Sequence, residues 1–206
     1  MKTLTPENIE TGRRKILSNA SQLIEEAELL FNAGHNARAY TLAHLASEEL
    51  AKLPMLVRAG FDSLCGVEIN WDKLERKLKS HHKKLEGILA VDFLHGPEIR
   101  ERADIKRFEE DLERIPDYNT MKNWSIYVSY IQEEFREPAD IIIEPLAAEM
   151  VKLAKHRLSF FAKMEEISAG SLERMQKDPA FLSKVESFIR TPEKIFAEEI
   201  DDSTQQ

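Results

Sequence analysis

Ala37–Lys52 reads ARAYTLAHLASEELAK, and its spacing decides the fold. Ala39, Ala43, Ala46, Leu50 and Leu53 recur at three- and four-residue steps, the repeat that gathers side chains on one face of an α-helix. Small side chains on that stripe let a neighbouring helix approach closely. The helix is expected to run from about Asn36 to Arg58, with Gly60 as its end signal. Pro54 removes a backbone donor and clashes with the preceding turn, so a kink is expected near Leu50–Leu53.

Upstream, Thr5-Pro6-Glu7 combines a hydroxyl N-cap, proline at the first helical position and an acid in the first turn. Ile9, Ile16, Ala20, Leu23, Ile24, Ala27, Leu30 and Phe31 then trace one face of a long helix that Gly34 stops. The short connection predicts an antiparallel hairpin between these two helices.

Downstream, Phe61–Ile69 reads as a connector, and Asn70 caps a third helix with the stripe Trp71, Leu74, Leu78, Leu85 and Ile88, ended by Gly96-Pro97. Glu98–Ile115 reads as an exposed helix that keeps Phe108, Leu112 and Ile115 on one side, and Pro116–Thr120 as a loop. Met121–Tyr130, MKNWSIYVSY, is aromatic and β-branched without a helical face, and is expected to be an anchored irregular segment. Pro145 opens another long helix, with Leu146, Met150, Leu153, Ala154, Leu158, Phe161 and Met164 inside and Gly170 at its end. Ser171–Ile189 forms a last helical region, and Thr191–Gln206 a loose acidic tail. The expected architecture is an all-α bundle over residues 1–190, with the tail at 191–206.

Composition agrees. A chain of 206 residues that is 42% apolar and 32% charged can bury one good core. Only 7 Gly and 8 Pro are too few turn residues for an all-β domain. A single Cys65 excludes an internal disulfide and a cysteine zinc site, and fits a reducing compartment. No apolar run approaches the ~20 residues of a membrane span, and MKTLTPENIE lacks a signal-peptide core. A cytoplasmic protein without membrane contact is expected. The formal net charge of −8 opposes sequence-independent nucleic-acid binding over the whole surface, DNA included. It leaves room for a local basic patch, because Lys73, Arg76, Lys77, Lys79, Lys83 and Lys84 crowd one segment.

That segment, Arg76–Leu85 (RKLKSHHKKL), also holds two histidines. At 100° per residue from Leu74, His81 falls within roughly ±60° of the apolar stripe, His82 at its edge, and Arg76 about 140° from His81. On the second helix Glu49 borders the stripe, whereas Glu48 points away from it and can pair with Lys52 at i,i+4. One reading makes Glu49 and His81 a buried acid–imidazole pair ready for proton transfer. The other makes His81 a core histidine satisfied by Glu49 and nothing more. His44 and Glu48 share a helical face, but the inward Glu-x-x-His pairs of di-metal bundles are missing, so no metal is expected. Gly-rich phosphate loops, nucleophile elbows and zincin motifs are missing too, and the flanks of Cys65 give it no support as a nucleophile. No cofactor is expected.

The order of these segments resembles a known family. SNASQLIEEAELLFNAG, ARAYTLAHLASEELAKL, SHHKKL and NTMKNWSIYVSY, followed by a proline-led helix, are similar to the AbiV-type abortive infection proteins, a branch of the HEPN helical superfamily. The resemblance covers about Ile16 to Leu158. Its most specific parts are the small-residue helix ending in Glu48-Glu49-x-x-Lys52 and the histidine–lysine run, and Lys122, Tyr127 and Val128 match a Lys-x-x-x-x-Tyr-Val pattern. The resemblance implies a HEPN-like up-down bundle, with the irregular aromatic segment and the C-terminal helices added to it. It also implies a homodimer and a role in bacterial defence against phage. It further implies a metal-independent ribonuclease with an Arg-x4–6-His motif, which Arg76–His81 and Arg76–His82 both fit. Histidine would then serve as general acid or base and arginine as phosphate stabiliser.

The candidate catalytic residues are therefore Arg76, His81, His82 and Glu49, with Glu48, Lys52, Lys83 and Lys84 as the binding set around them. Expected partners are a second copy, anchored through Trp124, Tyr127 and Tyr130, and an RNA or a phage or host protein. Two alternatives to the nuclease stand beside it. One is a non-catalytic helical module that binds a phage or host protein, and the other is a regulatory nucleotide-binding HEPN domain.

Overall fold

The computed structural model describes residues 3–95 and 102–190. Their fold is all-α apart from one small hairpin. The elements are α1 (Pro6–Asn32), α2 (Asn36–Leu50), α3 (Lys52–Leu64), α4 (Trp71–Lys79), α5 (His81–His95), α6 (Arg102–Glu113), α7 (Ile115–Trp124), β1 (Ser129–Ile131), β2 (Glu134–Arg136), α8 (Pro138–Ile141), α9 (Glu144–Ser168), α10 (Ser171–Lys177) and α11 (Pro179–Arg190).

α1 begins as expected. Thr5 accepts a hydrogen bond from the Asn8 amide, and the Asn8 side chain answers to the Thr5 amide, which closes a capping box. α1 and α2 form the antiparallel hairpin, joined through Gly34 at φ 80°. The alanine stripe of α2 is fully buried, and Val151 and Ala154 of α9 join Ile24 and Ala27 of α1 against it. α2 is thus the central helix, packed by α1, α9, α5 and α7. Thr41, His44, Ser47 and Glu48 on its other side are buried as well.

The expected kink is a break. α2 ends at Leu50, Ala51 intervenes, and α3 restarts at Lys52, two residues before Pro54. Gly60 does not end the helix. It lies inside α3, where a Cβ would sit 2.7 Å from a methyl carbon of fully buried Leu172. Glycine serves there as a packing residue. The helix runs on to Leu64, so Phe61–Leu64 is helical and Phe61 joins the core, contrary to the expected connector. Gly66, at φ 73°, follows the end.

The third expected helix is also two. Ser80 adopts an extended conformation, φ −77° and ψ 115°, that closes α4 and opens α5. Its hydroxyl accepts a hydrogen bond from the Lys83 amide at 3.3 Å, the work of an N-cap. The Gly96-Pro97 end signal lies outside the described residues, as do residues 98–101 and the 191–206 tail. α6 keeps Phe108 and Leu112 of its expected stripe, with Phe108 stacked on Phe93 of α5 at 4.5 Å, but it ends at Glu113, and Ile115 opens α7 as a buried residue.

Two corrections concern the aromatic stretch. Pro116–Thr120 is no loop but part of α7, with Pro116 in the first turn where its missing donor costs nothing. Met121–Trp124 completes that helix, and Ser129–Arg136 pairs as an antiparallel hairpin instead of an irregular segment. The hairpin turn, Gln132-Glu133, has φ of 53° and 66°, the left-handed pair that matches strand twist. In α9, Pro145 opens the helix and Ala154 and Phe161 are buried as expected, but Leu153 and Met164 are exposed. They fall on the solvent side, where Lys152, Lys155 and Lys163 also lie.

Candidate functional site

The second buried side of α2 builds the site. Residues 41, 44 and 48 follow the i, i+3, i+7 spacing of one helical face, which places Thr41, His44 and Glu48 in line. Glu48 has a side chain only 2% exposed, and its two oxygens collect partners from three helices. Oε2 lies 2.5 Å from Nδ1 of His81 and 2.5 Å from Nζ of Lys84, both in the first turn of α5. Oε1 accepts a hydrogen bond from Nζ of Lys122 on α7 at 3.3 Å, and His44 Nε2 stands 3.3 Å away, off the line of a hydrogen bond. Lys84 and Lys122 are themselves buried.

This overturns the expected Glu49–His81 pair. Glu49 is part-buried and bonded to Lys52, so the Glu48–Lys52 pair is also replaced. The physical reason is that α2 is buried on two sides. A carboxylate pointing away from the alanine stripe therefore meets another helix, not solvent. His81 departs from expectation in burial as well: its side chain is 50% exposed, at the protein edge and not in the core. The break at Ser80 resets the helical phase, which invalidates angles carried from Leu74 across it. The core histidine is His44.

The other candidates divide. His82 is exposed, with Nδ1 3.2 Å from Glu86 Oε1, and Lys83 is exposed and bonded to the same Glu86. Arg76 is exposed on α4, and among the described residues no hydrogen bond or ion pair connects it to either histidine or to Glu48. Sequence reasoning named Lys122 only through the family pattern and His44 only as a metal option on the face of Glu48, and it missed the Thr41–Ser125 link. Thr41 Oγ1 lies 2.7 Å from Ser125 Oγ, which donates to the Lys122 carbonyl at 2.6 Å. These bonds fix the end of α7 and hence the lysine that reaches Glu48. The signal was present in the alternation of alanines with Thr41, His44 and Ser47, polar residues too regular for a solvated face.

Burial alone would raise the Glu48 carboxyl. The adjacent His44 imidazole, hydrogen bonds from Lys84 and His81, and the Lys84 charge outweigh it and hold the group far below the usual carboxylate range. Burial pushes the His44 imidazole below its ordinary value, helped by the charges of Lys122 and Arg157 and opposed by Glu48. Glu48 is therefore ionised and His44 neutral at pH 7. Two ammonium groups already neutralise the one carboxylate and would repel a dication. Among the described residues no group of three or more His, Cys, Asp or Glu is placed to hold a metal ion.

Both depressed groups bind fewer protons in the folded chain than in the unfolded one. Stability should therefore be complete above the unfolded histidine value near 6.5 and fall as the pH drops below it. A steeper loss should follow below 4.5, the ordinary carboxyl value, as the unfolded chain takes up the proton that folded Glu48 resists. Urea unfolding at pH 7.5, 5.5 and 4 checks this. Equal stability at the first two would contradict a buried neutral His44.

At the edge, the arrangement is an imidazole oriented through Nδ1 by an ionised carboxylate, with its other nitrogen left for a ligand. It stands in the first turn of α5, where the helix dipole favours an anion. Such a group can accept or donate a proton beside a bound phosphate.

The family model HEPN_AbiV, described as AbiV, matches residues 8–159. No curated protein matches the chain, and no solved structure does.

Proposed function

From the premise that the chain belongs to the AbiV family of HEPN proteins, we propose that it is an intracellular phage-defence protein that cleaves RNA at the Glu48–His81 edge. The observation that carries this reading is the 2.5 Å contact between buried Glu48 and the half-exposed His81 ring. A carboxylate held ionised by Lys84 and Lys122 takes the Nδ1 side of His81 and so fixes its tautomer, leaving Nε2 as the proton acceptor. That nitrogen takes the proton of a ribose 2′-hydroxyl. The freed oxygen attacks the adjacent phosphorus, and the bond to the 5′-oxygen breaks as that oxygen gains a proton from His82 or water. The dipole of α5, exposed Lys83 and exposed Arg76 supply positive charge for the developing phosphorane.

An RNA substrate is supported locally, in a protein acidic overall, by exposed Lys73, Arg76, Lys77, Lys79 and Lys83 on α4 and the first turn of α5. Phage plating on cells that express the native chain, His81→Ala or Glu49→Gln tests the reading. Native and Glu49→Gln cells should be protected equally, because Glu49 faces Lys52 and not the histidine. His81→Ala cells should be as sensitive as cells without the protein. Full protection by folded His81→Ala would overturn the nuclease and favour the binding module.

A further inference from the structure

A groove of about 670 Å³ runs between α3, α4 and α5, and the chemistry at the Glu48–His81 edge does not use it. Its size is that of a small-molecule site. The floor is aliphatic: Met55 and Ala59 of α3, Leu74 of α4, and Ala90, Val91 and Leu94 of α5. Leu94 is 64% exposed, so apolar surface meets water there. Among the described residues no aromatic ring lines the groove, which leaves a nucleobase nothing to stack on.

The rim supplies charge. Lys73 and Lys77 stand one turn apart on α4, and both line the groove. The other lysines of α3–α5 are paired: Lys52 with Glu49, Lys79 with Glu75, Lys83 with Glu86 and Lys84 with Glu48. Lys73 and Lys77 have no carboxylate partner among the described residues. Of the two acids on the rim, Asp62 is taken by Arg58, which leaves Glu68 against two lysines. The local balance is therefore positive in a protein of formal charge −8. An aliphatic floor beside two uncompensated ammonium groups fits a molecule that is apolar along its length and anionic at one end. The α5 wall from Gly87 to Leu94 is about 10 Å long, room for one extended chain. We propose that this groove binds a free single-chain fatty carboxylate, with its chain on the aliphatic floor and its head group between Lys73 and Lys77. The site stands apart from the nuclease reading, because neither Glu48 nor His81 lines it.

Isothermal titration calorimetry of the full-length chain with octanoate, decanoate and dodecanoate, each kept below its micelle concentration, tests the site. Affinity should rise up to roughly four-fold per methylene while the chain still lies on the floor, the gain from moving one CH2 out of water. Lys73→Gln/Lys77→Gln should weaken dodecanoate about ten-fold or more, because two charge-assisted contacts are lost. Leu94→Glu should weaken it as well, from the apolar side and at a position exposed enough to leave the fold intact. Arg76→Gln/Lys79→Gln removes the same charge from the same helix outside the groove and should change little. No binding by the native chain would overturn the proposal. So would equal binding of decanoate and uncharged decanol, or equal losses from the two double variants. Binding to phosphatidylglycerol vesicles without binding to monomeric dodecanoate would also overturn it, since a membrane surface and not a free chain would then be the ligand.

Discussion

Glu48→Gln should lower the unfolding free energy by about 3–5 kcal/mol, the cost of removing one partner from a buried ion cluster. Glutamine keeps the shape and the acceptor oxygen but not the charge. Lys84 and Lys122, both 6% exposed, would be left as buried ammonium groups with no counter-ion. A domain of this size has about 5–15 kcal/mol in all, so the variant should be marginal and visible at once in urea titrations followed by circular dichroism. A second variant separates charge from packing. Glu48→Leu/Lys84→Met/Lys122→Met removes the charges together and should recover most of the loss, because buried ion clusters add little over apolar side chains of similar volume. A loss below about 1 kcal/mol for Glu48→Gln would mean that water reaches the cluster and that the carboxylate is not the hub of α2, α5 and α7.

Much of this was legible beforehand. The three- and four-residue steps of Ile9–Phe31 and of Ala39–Leu50 specify two helices and their packing, because small side chains have few other uses in such a register. Thr5-Pro6 and Pro145 mark helix starts by a mechanism local to the turn, so they need no tertiary information. His81 and a neighbouring glutamate are also legible as a pair, but the helical spacing points to Glu49 where the fold uses Glu48. A wheel drawn on one stripe treats the other side of α2 as solvent, and nothing in a single helix says that α5 and α7 cover it. The Ser80 break was readable from Ser80 ahead of His81-His82-Lys83, a cap in front of a first turn. It lost to the unbroken apolar pattern across Leu78 and Leu85. Gly60 failed for a related reason, since what excludes a side chain there is Leu172, 112 residues away in the chain.

His81→Ala should reduce RNA cleavage about 100- to 10,000-fold, the usual contribution of a positioned acid or base, while leaving the fold intact. Half of the His81 side chain faces solvent, and Glu48 keeps Lys84 and Lys122 when the ring is gone. Stability and activity thus part company between the two residues: Glu48→Gln damages both, His81→Ala only one. Arg76→Ala should have a smaller effect, because Arg76 contributes charge from an exposed position without a bond to the dyad.

The most direct measurement is the cleavage rate of a fluorescent single-stranded RNA by purified protein in excess EDTA, for the native chain and for His81→Ala. The Glu48–His81 account predicts cleavage by the native chain with the chelator present, products ending in 2′,3′-cyclic phosphate, and the stated loss for the variant at an unchanged melting temperature. Cleavage that EDTA abolishes, or that folded His81→Ala retains in full, would contradict it.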